Sequence, residues 1–198
     1  MSEVASTVDQ APPPAEDKPA RLDACGMRVR LYPTDEQAHA LRRWVGSGRF
    51  VWNWALAQQQ ATYRDTRKHV SANTLSRQLT TLLQSGVESH AFLKQVPRTG
   101  ITRTLKHLDA AWKGYFDGLK GLRADKPGQP KFRRRGGSRE TLQFQVDPRH
   151  RNPVINAGNS DKQGLRIPGL GVVPATLSQR VPGRVTAITV QQKGDAWW

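Results

Sequence analysis

At 198 residues the chain has room for one domain or two small ones, and a domain of about 150 residues buries about 70% of its unfolded surface. The formal net charge is +15, and because the first twenty residues hold Glu3, Asp9, Glu16 and Asp17 against Lys18, the remainder carries +18, a footprint for a polyanion with nucleic acid foremost. Cys25 stands alone, the five histidines show no metal-ligand spacing and no apolar run approaches about 18 residues, so a disulfide framework, a zinc site and a membrane helix are excluded as organising features.

Residues 1–24 are poor in large apolar side chains and include Pro12-Pro13-Pro14 and Pro19. They read as a disordered leader, since so little burial cannot offset the entropy of ordering. No basic segment followed by a hydrophobic one precedes the body of the chain, so the expected location is the cytoplasm, beside the nucleoid. Within 25–34, Met27 to Tyr32 alternates: Met27, Val29 and Leu31 are expected to face a core while Arg28, Arg30 and Tyr32 face out. Pro33 ends that strand. Thr34-Asp35-Glu36-Gln37 is a capping box with two acids in the first turn of a helix. Ala38, Leu41, Trp44 and Val45 turn inward, and Gly46-Ser47-Gly48 predicts a break before a second helix from Arg49 to about Thr66. Such a layout suits a helical hairpin or a helix-turn-helix reader.

The stretch Arg49-Phe50-Val51-Trp52-Asn53-Trp54-Ala55-Leu56 is the most apolar part of these helices. Phe50, Trp54 and Ala57 share one face, with Trp52, Leu56 and Gln59 beside it. Asn53 in such company needs a partner for its amide, because a buried unpaired amide costs about 1–3 kcal/mol.

Lys68 to Ser71 reads as a polar loop, and Ala72 to Gln84 as a helix with Leu75, Leu79, Leu82 and Leu83 at helical spacing. Pro97 precedes the longest periodic segment, whose seam is Ile101, Leu105, Leu108, Trp112, Tyr115, Phe116 and Leu119. Arg103, Lys106, His107 and Lys113 lie on other faces and fit either a solvated rim or phosphate contacts. From Gly121 the character changes. Residues 121–151 hold nine Lys or Arg against Asp125, Glu140 and Asp147, and Pro127, Pro130, Gly136 and Gly137 break any helix. Strand-like runs follow at Leu142–Val146, Pro153–Asn156, Leu165–Ile167, Val172–Val173 and Arg184–Val190, then a turn at Lys193-Gly194-Asp195 and a last strand opening at Ala196. The fold class is α+β. A small antiparallel β-barrel is split by an inserted helical bundle, because the first strand would be unstable alone and must pair with the later ones. The expected divisions are 1–24 leader, 25–34 first strand, 35–122 helical lobe and 123–198 remainder of the barrel, cut off at its end.

The chain resembles the N-terminal part of the TnpB (OrfB) family, transposon-encoded relatives of type V CRISPR effectors. The resemblance is carried by Arg30-Leu31-Tyr32-Pro33-Thr34, Arg49 to Leu56, the Leu-x-x-Leu-Asp-x-Ala-Trp-x-x-Tyr-Phe run from Leu105 to Phe116, Gly128-Gln129-Pro130-Lys131-Phe132-Arg133, and the strands after Thr141. These occur in the family's order across Met27 to Trp198. The resemblance implies a wedge-like barrel split by a recognition lobe. It further implies a guide RNA, and double-stranded target DNA read beside a short target-adjacent motif.

Carried over position by position, it places Arg98, Thr102 and Gln145 toward the target-adjacent duplex. It leaves Asn53 with a structural or a nucleic-acid role. Lys131, Arg133, Arg134 and Arg135 become phosphate contacts, and Arg28, Arg30 and Arg49 complete the candidate set. The family's RuvC nuclease uses three carboxylates on two metal ions, and no such set is recognised here. No catalytic or metal residue is therefore assigned, and magnesium is expected only with the RuvC part. The expected function is a nucleic-acid-binding recognition half without chemistry. The alternatives are a nuclease completed by a separate RuvC chain and a nuclease-less RNA-guided repressor. No membrane partner is expected, because the basic residues form no amphipathic helix with an apolar face.

Overall fold

The computed structural model describes residues 26–86, 88–136, 140–147, 153–155, 163–177, 181 and 184–198. The expected leader, residues 1–24, and Cys25 lie outside the described residues, as does Asn156.

Helix α1 (Asp35–Thr66) starts at the capping box. The Gln37 N–H donates to Thr34 Oγ1 at 3.3 Å, and the Thr34 N–H donates to Gln37 Oε1 at 3.1 Å. The break expected at Gly46-Ser47-Gly48 does not occur: α1 continues as one helix of 32 residues. Neither glycine takes a positive φ, and Ser47 Oγ donates to Arg43 O one turn back at 2.9 Å. Packing explains the correction. The buried seam of Leu41, Trp44, Val45, Val51, Trp52, Ala55 and Leu56 runs through the glycines without a gap, and burial of that size outweighs a helix cost of about 1 kcal/mol per glycine. Gly48 serves close approach instead, since a Cβ there would lie 2.9 Å from Leu142 Cδ1.

Ser71 caps α2 (Ala72–Gln84), accepting from the Thr74 N–H. A 3-10 helix, Glu88–Gln95, follows, and Pro97 precedes α3 (Arg98–Leu119). Leu75 and Leu79 of α2 join Ile101, Leu105, Leu108 and Trp112 of α3 in one core with α1.

The strands are β1 (Arg30–Leu31), β2 (Thr141–Gln145), β3 (Val154–Ile155), β4 (Gly164–Ile167), β5 (Gly171–Thr176), β6 (Ala187–Lys193) and β7 (Ala196–Trp197). All pair antiparallel, in the order β2-β6-β7-β1-β5-β4-β3. Strand β1 is shorter than the alternation of Met27 to Tyr32 suggests. It nonetheless sits inside the sheet, with Leu31 opposite both Trp197 and Ala175. Strands from before and after the helices thus share one sheet. The described sheet is open, where a small barrel was expected: β2 and β3 are its edges. Helices and sheet meet at β2, where Leu142 and Phe144 are fully buried against α1 and α3. A Cβ at Gly100 of α3 would lie 3.2 Å from the Phe144 ring and 3.3 Å from Leu142, so both helices meet β2 through a glycine.

Candidate nucleic-acid interface

The chain leaves α3 and doubles back along it. Pro127 Cδ and Lys126 Cα lie 3.0 and 3.3 Å from where a Cβ on Gly118 would stand, so only glycine admits the backbone at that crossing. The following segment, 131–135, forms a strap across α1. Trp52 Nε1–H donates to Lys131 O at 3.1 Å. Asn53 Nδ2–H donates to Arg133 O at 3.0 Å, and Asn53 Oδ1 accepts from the Arg133 N–H at 2.8 Å. The Asn53 amide pairs with one backbone residue as a neighbouring strand would, which satisfies the partner its burial demands. The Arg133 guanidinium lies over the Trp52 ring at 3.8 Å, where the ring face attracts a cation. Farther along, Glu140 pairs with the Arg49 guanidinium and accepts from the Gly136 N–H at 2.9 Å. The motif Arg49 to Asn53 is therefore a clasp, and it holds the strap at both ends.

The clasp leaves Lys131, Arg134 and Arg135 exposed, with Phe132 53% exposed among them, while Arg133 is half-buried. Beside the strap, α3 contributes Arg103 and His107. Arg103 Nε–H donates to Gln143 Oε1 at 2.5 Å, and Gln143 Nε2–H donates to Thr189 Oγ1 at 3.0 Å, so a polar chain links α3 to β2 and β6. Partial burial, then the Arg103 charge, hold His107 below its ordinary value; a hydrogen bond with Gln143 works against them, and Arg133 adds to the lowering.

The expected site residues fall into three groups. Arg49, Asn53, Lys131, Arg133, Arg134 and Arg135 come together in the clasp and strap. Arg98, Thr102 and Gln145 occupy a second corner, because Gly100 packs on Phe144 and thereby sets the first turn of α3 beside the end of β2. There Arg98 is exposed and donates to Thr80 Oγ1 of α2 at 2.7 Å, Thr102 is half-buried, and Gln145 is exposed on the edge strand opposite Ala187. Arg28 and Arg30 are elsewhere, at β1, three strands from β2 and so about 14 Å away across the sheet. They stack on Trp198 at 4.2 and 5.2 Å. A cleft of about 650 Å³ runs from Arg28 and Trp198 past Arg184 to Gln143.

Sequence reasoning did not foresee Trp52 as a backbone donor, Glu140 as the counter-ion of Arg49, or Gln59. The last, 1% exposed, clasps the α1–α2 loop just as Asn53 clasps the strap, donating to Val70 O at 2.5 Å and accepting from the Val70 N–H at 3.2 Å. The available signal was an amide on the apolar side of a helix. Among the described residues no three His, Cys, Asp or Glu side chains gather as metal ligands, and no helix is long and apolar enough to cross a membrane.

A helix-turn-helix domain model of the OrfB type matches residues 25–68. Two curated proteins are similar over more of the chain. The Escherichia coli (strain K12) protein named as an RNA-guided DNA endonuclease, InsQ, is 26% identical over 178 residues, 90% of this chain and 39% of its own length. A Streptomyces pristinaespiralis protein named as an RNA-guided DNA endonuclease is 31% identical over 117 residues, 59% of this chain and 27% of its own. These matches support the OrfB/TnpB family. The chain spans well under half the length of either relative. Within the matched 25–68, the chain has β1 and one unbroken helix, and the turn toward the second helix falls at Arg67, whose φ is +57°.

Proposed function

We propose that this chain binds nucleic acid, as the recognition part of an RNA-guided DNA endonuclease of the OrfB/TnpB family. Its partners would be a guide RNA and duplex target DNA carrying a target-adjacent motif. The observation that carries the reading is the strap: four basic side chains on a backbone clasped to α1, three of them exposed, on a chain of net charge +15. A pre-ordered basic segment meets phosphate without first losing conformational freedom. The second corner, with Arg98, Thr102 and Gln145, suits the target-adjacent duplex, and the sheet takes the place of the family's wedge. Magnesium-dependent cleavage would fall to the family's RuvC part, supplied by a separate chain. The expected location is the cytoplasm, with the nucleoid.

The test is purification followed by RNase and DNase treatment and by binding titrations at several salt concentrations. RNA should co-purify, and log affinity should fall with log salt at a slope of about −0.7 to −0.9 per phosphate contacted. A protein free of nucleic acid whose binding ignores salt refutes the reading.

A further inference from the structure

Phe132 sits in the middle of the strap, between Lys131 and Arg133, and is 53% exposed. Its neighbours are the residues that tie the strap to α1. Lys131 gives its carbonyl to Trp52, and Arg133 gives both its backbone groups to Asn53, so alternate residues of the strap turn their polar edge to α1. Arg133 lies against Trp52, while Phe132 is exposed, as are Lys131, Arg134 and Arg135 along the same strap. The result is a large apolar ring on an immobilised backbone, flanked by exposed cations. Its geometry is that of single-strand binding, where an aromatic face takes a base while cations take the phosphates on either side. A duplex offers the ring no open base face, because its bases are already stacked on one another.

We propose that Phe132 stacks on an unpaired base of a single-stranded nucleic acid whose adjacent phosphates lie on Lys131, Arg134 and Arg135. This rests on the nucleic-acid reading above and adds the strandedness of the ligand and the residue that senses it. Because the clasp fixes the strap in advance, the stacking energy is not spent on ordering the loop.

The experiment compares the full chain with Phe132→Ala and Phe132→Trp. The ligands are fluorescein-labelled oligouridylate and oligothymidylate of about a dozen nucleotides, and a duplex of the same length. Phe132→Ala should weaken both single strands by about tenfold or more, leave the duplex within about twofold, and leave the salt slope unchanged. Phe132→Trp should restore single-strand binding. A single strand carrying 2-aminopurine should be quenched by the parent protein and by Phe132→Trp, but not by Phe132→Ala. Comparison of the ribo- and deoxyribo-oligomers tells which strand is preferred. Failure of the parent protein to bind any of the ligands in a salt-dependent way refutes the broader reading. If the parent binds but Phe132→Ala binds single strands equally well, or loses duplex to the same degree, only the stacking role falls. A lowered melting temperature of Phe132→Ala with unchanged affinity would instead place the ring against the chain itself, and would also overturn the proposal.

Discussion

Replacing Asn53 by alanine removes both hydrogen bonds that hold Arg133 to α1, at 3.0 and 2.8 Å. At about 1 kcal/mol net per bond, the loss is about 2 kcal/mol. The strap is otherwise tied by Trp52 at Lys131 and by Glu140 at Gly136, so the first consequence is local opening and not global unfolding. Amide hydrogen exchange reads this directly, because the Arg133 N–H is itself one of the bonded groups. Its protection should fall by about thirtyfold, the factor equivalent to 2 kcal/mol. The melting temperature should drop by no more than about 4–8 °C if the strap and the body open together, and by less if they do not. Asn53→Asp sharpens the test: it retains an acceptor for the Arg133 N–H but turns a negative oxygen toward the Arg133 carbonyl. It should therefore fail to restore protection, whereas an amide that merely filled space would tolerate it. Unchanged exchange at Arg133 in Asn53→Ala would refute the clasp.

Other expectations follow from the same geometry. Gly46→Ala should stabilise by about 0.5–1 kcal/mol, since nothing lies within 4 Å of a Cβ there and alanine favours helix. Gly48→Ala should cost about 1 kcal/mol net, because its Cβ meets the fully buried Leu142 at 2.9 Å; equal stabilisation by both, in urea titrations, would refute the close approach of α1 to β2. Gln59→Ala should cost about 2–3 kcal/mol by leaving the Val70 groups unpaired, and a urea midpoint within error of the parent would contradict that role. His107 titrates lower in the folded chain than its ordinary 6.5, so between the two values the unfolded chain holds more protons. Stability should therefore rise with pH across that window and be lost as pH falls through it, and His107→Gln should flatten the dependence in unfolding curves at several pH values.

The legible parts of the fold were those written in local pattern. Thr34 to Gln37 announced a helix start, and the leucine seam from Ile101 to Trp112 announced α3. Leu142 and Phe144 announced an inward strand face. The instability of a lone Met27–Tyr32 strand implied partners far along the chain, and β5 and β7 supply them. Gly46-Ser47-Gly48 misled because glycine signals both a turn and a close contact, and only the position of Leu142 decides between them. The candidate site was legible as a set of residue types and not as a set of contacts. Asn53 visibly needed a partner, yet that partner is the backbone of Arg133, eighty positions away and invisible to periodicity. Arg49 stood among the nucleic-acid candidates, and its pairing with Glu140, ninety-one positions on, left no local signal.

The place of β1 bears on the order in which the molecule assembles. Its two residues join the β2-β6-β7 half of the sheet to the β5-β4-β3 half, and Leu31 touches both. During synthesis the helices of 35–119 can pack soon after they emerge, while Leu31, made before all of them, stays without a strand partner until Ala175 and finally Trp197 arrive. Pairings over such spans form slowly, so the earliest strand is the last to be seated, and any chain halted before residue 175 would carry it unmatched.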